Sequence, residues 1–185
     1  MSRLPRLDPA ARSAIWGVSG SGKSTLAREI ARNWAQTRAV VVVDPTGPDA
    51  PALPKGWTAT PGLTPLSPAT PDECSAALLS AYLMSSTQTP VTVIADEAPH
   101  YLAKPSDAVL KVIYQGRHRG LGLIMAGQRP SAVAPAVRSQ VTKTIYMRLT
   151  DRADLNIVAA SSRDLAAALP KLNVGEWQQW PLQFA

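Results

Sequence analysis

RSAIWGVSGSGKSTLAREIARNW, Arg12 to Trp34, is the stretch on which the fold turns. From Gly17 to Ser24 its spacing is G-x-x-x-x-G-K-S, the pattern of a phosphate-binding P-loop. The flanks have the matching character. Ala14, Ile15 and Trp16 make an apolar strand over Ser13 to Val18. Leu26, Ile30, Ala31 and Trp34 recur three and four apart, so a helix follows. The glycines between strand and helix let the backbone turn tightly and approach a polyphosphate. The segment Gly17, Val18, Ser19, Gly20, Ser21, Gly22, Lys23, Ser24 and Thr25 is therefore the expected nucleotide-binding loop. Amides at the start of the helix face the anion. Lys23 reaches the β- and γ-phosphates, and Ser24, ahead of Thr25, is the expected Mg²⁺ ligand.

The bulk composition narrows the class. A chain of 185 residues, 45% of them hydrophobic, suffices for one globular domain with a real core. A single domain is expected over 1–185, with a short lead over 1–11 and a proline-rich excursion over about 46–71. Cys74 is the one cysteine, so neither a disulfide framework nor a cysteine metal cluster is available. Two histidines exclude a histidine metal cluster. No apolar run is long enough to span a membrane, and MSRLPRLDPA lacks a signal core, so work inside a cell is expected. The net charge of +6 permits a polyanionic partner beyond the nucleotide.

Along the chain, strands and helices alternate. AVVVV, Ala39 to Val43, reads as a buried strand of a parallel sheet and ends in Asp44-Pro45. Within the excursion, WTAT at Trp57 to Thr60 is the candidate strand. Thr70-Pro71-Asp72-Glu73 opens a helix whose apolar side carries Leu78, Leu79, Tyr82 and Leu83. A strand over Val91 to Ala95, a helix over Ser106 to Gly116 and a strand over Leu121 to Ala126 follow. A short helix holds Val133 to Val137, and Val141 to Leu149 is another strand. Two short helices come next, one after Thr150 or Asp151 and one opened by Ser161 or Ser162. The segment from Asn173 to Leu182 reads as a last strand or hairpin. Around a P-loop, this pattern implies an α/β fold: a three-layer P-loop NTPase with a central, mostly parallel sheet.

The chemistry gathers at strand ends. Asp96 and Glu97 follow the apolar strand VTVIA. A carboxylate at such a tip holds the water shell of Mg²⁺, which suits Asp96; Glu97 is the better general base for an attacking water. Asp44 is a runner-up for metal or substrate contact. His100 reads as a structural histidine. Gln128, in GQRP after the next strand, can touch the γ-phosphate or its attacking water, and Arg129 either joins it or caps a loop. Arg117, His118 and Arg119 end a helix, where positive charge suits the dipole.

The P-loop, the hydrophobic strand ending in Asp96-Glu97, and G-R-H-R-G followed by G-Q-R-P together resemble the FtsK/HerA superfamily of DNA-pumping ATPases. The likeness runs from Ser13 to GEWQQW, Gly175 to Trp180. By size and layout it is most similar to the genome-packaging ATPases of tailless, internal-membrane-containing double-jelly-roll viruses and phages. No membrane anchor, β-barrel or winged-helix reader is visible in the sequence. That points away from chromosome translocases and anchored conjugation coupling proteins.

The resemblance implies Mg²⁺-dependent ATP hydrolysis that moves double-stranded DNA into a preformed capsid. It implies a homo-oligomeric ring, commonly a hexamer, contact with portal-vertex proteins, and residence in the virion or host cytoplasm. It also implies an arginine donated by a neighbour to each ATP, where it offsets charge on the γ-phosphoryl oxygens. Arg117 and Arg119 are the first candidates and Arg148 the third. Lys104, Lys111 and residues of the excursion from Thr46 to Pro65 are the candidates for sequence-blind DNA contact. Three other readings stay open: a filamentous-phage-type assembly ATPase, a small P-loop kinase, and a nucleotide-binding adaptor with little turnover.

Overall fold

Short apolar runs bounded by turn residues, AVVVV and VTVIA among them, form strands here because helices on either side cover both of their faces. The computed structural model describes residues 4–45 and 56–181. Its strands are β1 (Arg12–Trp16), β2 (Ala39–Val43), β3 (Leu63–Leu66), β4 (Val91–Ala95), β5 (Leu121–Gly127), β6 (Lys143–Tyr146) and β7 (Gln178–Trp180). They form one sheet in the order β3-β2-β4-β5-β1-β6-β7. Every pairing is parallel except that of β7 with β6.

The helices are α1 (Lys23–Trp34), α2 (Pro71–Met84), α3 (Pro99–Leu102), α4 (Asp107–Gln115), α5 (Pro135–Arg138), α6 (Arg152–Ala159) and α7 (Arg163–Ala168). Alternate strand residues feed two cores. Ile15, Val42, Ile94 and Ile124 pack with Leu26 and Ile30 of α1. Ala14, Trp16, Val93, Leu123 and Met125 pack with Leu78, Leu102, Val109, Ile113, Val158 and Leu169. The three-layer expectation therefore holds. Side-chain caps fall where the sequence indicated: Thr70 accepts from the Glu73 amide, Ser106 from Val109, Asp151 from Ala153 and Asp154, and Ser162 from Leu165.

Four local readings differ. WTAT is not a strand; Trp57 is buried and Thr60 makes only an isolated bridge to Leu63. The strand of this region is LTPL, where Pro65 is tolerated because β3 is the sheet edge and needs no outward amide. The strand expected over Val141 to Leu149 is confined to Lys143–Tyr146: Val141 N–H closes a turn on Arg138, Met147 N–H bonds Trp16 at the end of β1, and the Arg148 carbonyl accepts from Val18 of the P-loop. The last strand is confined to Gln178–Trp180. Leu83, expected on the apolar side of its helix, points outward with 70% exposure.

At the N-terminal ends of the strands, two arginines tie the edge together. Arg38 donates to the carbonyls of Val91 and Gly120. Arg12 is 5% exposed, and its guanidinium donates to the carbonyls of Ile113, Leu121 and Val112 at 3.0, 3.1 and 3.4 Å. It thereby caps the C-terminal turn of α4 from the first residue of β1. Arg12→Leu leaves those buried carbonyls without a donor, and urea unfolding is expected to show a loss of about 3 kcal/mol. Arg12→Lys, which keeps the charge without the planar fork, is expected to recover only part of it.

Candidate nucleotide-binding site

The P-loop leaves the C-terminal end of β1 and is held from both sides by neighbouring strands. Gly17 N–H donates to Gly127, Val18 N–H to Arg148, and Met147 N–H to Trp16. Gly17 has no room for a side chain: an added Cβ sits 2.6 Å from Ser21 Oγ and 2.8 Å from Met147 Cβ. Gly22 turns the chain into α1 with φ of 105°, a left-handed conformation that glycine adopts without strain. Whereas α2, α4, α6 and α7 carry side-chain caps, α1 has none, and no acidic residue sits in its first turn. Its leading amides thus keep their donors for an external anion. Lys23, 6% exposed, folds back to donate from Nζ to the Val18 carbonyl at 3.0 Å. Burial lowers its pKa, and Glu97 and Asp96 act against that shift.

The acidic half stands on β2 and β4. Val43 pairs with Ala95, so Asp44 and Asp96 leave adjacent strands at the same level. They are only 4% and 3% exposed. Burial, then the charge of Asp44, raises the Asp96 carboxyl from 3.8 to about 6. The Glu97 amide donates to Asp96 Oδ1 at 3.0 Å. Glu97 itself has φ of 43°, an uncommon left-handed conformation for a residue with a side chain, of the kind that turns hold at functional sites. Gln128 Nε2 donates to Glu97 Oε1 at 3.4 Å. This contact is possible because β5 lies between β1 and β4, so its tip separates the P-loop from the acidic pair. Below them Tyr101, 4% exposed, has its hydroxyl 3.4 Å from the carbonyls of both Val43 and Asp96.

The remaining candidates distribute over two ends of the sheet. Arg148 follows β6 and lies beside its own P-loop. Arg117 and Arg119 precede β5 and so lie at the opposite end, about 20 Å away along that strand. Arg119 stacks over Tyr82 at 5.0 Å and donates to the Leu83 carbonyl at 3.4 Å. Arg117 lines a cleft of about 900 Å³ together with His118 and Lys143. Arg129 pairs with Asp151 at 2.9 Å and Asp154 at 3.4 Å, which joins the loop after β5 to α6. His100, Lys104 and Lys111 are exposed. Of the excursion, residues 46–55 lie outside the described residues. Cys74 is buried in α2, where burial pushes its thiol up to about 11. Sequence reasoning missed the turn over 173–177, where Gly175 N–H donates to the Ser21 carbonyl at 2.9 Å. The N-V-G-E run was the signal for it.

Ser24 and Asp96 supply a hydroxyl and a carboxylate, the hard oxygen donors that suit Mg²⁺. The buried, mutually repelling pair Asp44 and Asp96 makes the same place favourable for a cation. Among the described residues, no group of three or more His, Cys, Asp and Glu side chains could form a metal cage of its own.

No protein-family model matches the chain. The DNA double-strand break repair helicase HerA of Sulfurisphaera tokodaii is 31% identical over 96 residues, 47% of this chain and 19% of that protein. The corresponding helicase of Saccharolobus solfataricus is 30% identical over 101 residues, 50% of this chain and 20% of that protein. The chain thus spans about a fifth of the length of these relatives. The genome packaging NTPase B204 of Sulfolobus turreted icosahedral virus 2, solved with AMPPCP, has the same fold with a TM-score of 0.78 at 20% identity. That match covers 94% of this chain and 93% of B204. The chain is thus similar to HerA helicases over about half of its own length and shares the fold of a packaging NTPase over nearly all of it. The conjugation coupling protein TcpA of pCW3, with a TM-score of 0.67 at 16% identity, shares the fold over 92% of this chain and 57% of its own.

In this chain the Asp96 carboxyl is a source of stored instability. Folding raises its pKa, so the folded chain binds the proton more tightly, and stability falls as pH rises between about 4 and 6. In metal-free buffer at pH 7.5, Asp96→Asn is expected to stabilise the chain by about 2 kcal/mol in urea unfolding. At pH 4 the gain is expected to vanish. Equal effects at both pH values contradict this origin.

Proposed function

We propose that the chain is a Mg²⁺-dependent ATPase that translocates double-stranded DNA and packages a viral genome into a preformed capsid. The observation that carries this reading is the convergence of Lys23, Asp96, Glu97 and Gln128 at one sheet edge. The near full-length likeness in fold to a packaging NTPase supports the biological role. The partial sequence likeness to HerA helicases favours a second reading, a motor acting on duplex ends in repair.

In the proposed reaction, first-turn amides of α1 and the Lys23 ammonium hold the β- and γ-phosphates. Ser24 and Asp96 would hold Mg²⁺, which would supply charge neutralisation. Glu97 accepts a proton from the attacking water, and Gln128, bonded to Glu97, orients that water. Arg148 serves the P-loop beside it. Arg117 and Arg119 lie too far from their own P-loop to reach its γ-phosphate, so they act on a neighbour's. The working form is then a ring in which one subunit's strand C-termini face the next subunit's strand N-termini, a heterologous interface that closes by rotation. Lys104 and Lys111, with the excursion, contact DNA phosphates. Portal-vertex proteins seat the ring on the capsid, so the enzyme works at the packaging vertex or in the host cytoplasm.

Steady-state ATPase with and without linear duplex DNA tests the proposal. Turnover is expected to rise with DNA, and the stimulation to fall steeply with added salt. Glu97→Gln is expected to bind ATP and to hydrolyse it at least about 100-fold more slowly. Turnover indifferent to DNA, or near-normal single-turnover hydrolysis by Glu97→Gln, contradicts the reading. Phosphate transfer to a nucleoside establishes a kinase instead.

A further inference from the structure

A cavity of about 180 Å³ adjoins the P-loop on the side away from the acidic residues. Its lining includes Thr25 and Glu29 of α1, Met147 after β6, and Val174, Gly175 and Trp177 of the turn before β7. The sheet order explains its position. Asp96, Glu97 and Gln128 stand on β4 and β5, to one side of β1, whereas β6 and β7 lie on the other. A triphosphate whose γ end meets Glu97 and Gln128 crosses the loop towards β6 and β7. Its nucleoside then arrives at this cavity.

The turn is built into the loop. Gly175 N–H donates to the Ser21 carbonyl at 2.9 Å, and the Cβ position of Gly22 lies only 3.5 Å from Gly175 Cα. The turn is braced internally, with Asn173 N–H donating to Glu176 Oε2 at 2.8 Å. It presents Val174, 68% exposed, to solvent, while Trp177 packs partly buried against the α1 core. Met147 closes the floor at 1% exposure. Apolar walls of this kind suit a flat heterocycle, and the exposed Thr25 hydroxyl and Glu29 carboxylate at the rim suit ribose hydroxyls or a ring amine. From this geometry we infer that the 173–177 turn and the first turns of α1 form the seat of the nucleotide's base and ribose. The inference rests on the P-loop reading and adds to it the segment that makes binding specific for a nucleotide over bare polyphosphate.

Calorimetric titration with ATP and with inorganic tripolyphosphate, each with Mg²⁺, separates the two ideas. Wild type is expected to bind ATP about ten-fold or more tightly than tripolyphosphate. Val174→Asn, at an exposed position that folding tolerates, is expected to weaken ATP about five-fold and to leave tripolyphosphate within about two-fold. Trp177→Ala, checked for its fold by circular dichroism, is expected to act in the same direction. Lys23→Ala weakens both probes. Equal wild-type affinity for the two probes overturns the base seat, and so do variants that leave ATP unchanged or weaken both probes alike. If Lys23→Ala weakens neither probe, the P-loop reading falls, and the base seat with it.

Discussion

A parallel sheet sends every strand's C-terminus to the same edge, and the chemistry of this chain depends on that constraint. Val43, Ala95, Met125 and Ala14 lie at matched levels through the ladders, so the loops that follow these strands emerge at one edge. The P-loop, the Asp44 and Asp96 pair, Glu97 and Gln128 are far apart in sequence and adjacent for this reason alone. Backbone bonds from Gly127 and Arg148 then fix the loop against both neighbouring strands. The edge needs no dedicated scaffold beyond the hydrogen bonds that make the sheet.

The same arrangement concentrates unfavourable terms where a ligand can relieve them. Two buried carboxylates stand on neighbouring strands, and Glu97 occupies a left-handed conformation. The first turn of α1 keeps its amides uncapped. Each of these costs stability in the folded chain, and a polyphosphate at the uncapped amides with a cation at the carboxylate pair would offset two of the three. Stabilising contacts are placed at the other end, where Arg12 and Arg38 satisfy carbonyls from several elements. A rigid base and a strained edge divide the labour along one sheet.

Much of this was legible in the residues themselves, because the P-loop and the caps are local signals. Gly17 to Ser24 specifies a conformation by spacing, and Thr70, Ser106, Asp151 and Ser162 mark helix starts by their own side chains. What escaped is non-local. Gln128 beside Asp96-Glu97 was legible from the strand tips, but the position of β5 between β1 and β4 that sets their hydrogen bond is decided by crossover packing. LTPL carries Pro65 and is passed over for WTAT in the sequence, and it is accommodated as a strand because β3 is the sheet edge. The 173–177 turn joins the site through one backbone bond to Ser21, which composition does not encode.

Separation of Arg117 and Arg119 from the P-loop by the length of β5 is the reason a ring is proposed. Arg117 and Arg119 serve a nucleotide only if a neighbour brings one to the strand N-termini. The most direct measurement mixes Lys23→Ala chains, whose own sites are dead, with Arg117→Ala chains, which lack the donor, and repeats this with Arg119→Ala and Arg148→Ala. In oligomers shown by mass to contain both chains, a shared site predicts DNA-stimulated ATPase above the sum of the separate variants with Arg117→Ala or Arg119→Ala. It predicts none with Arg148→Ala, because the proposed role of Arg148 is within its own chain. Failure of both Arg117→Ala and Arg119→Ala to restore turnover contradicts a site completed between subunits.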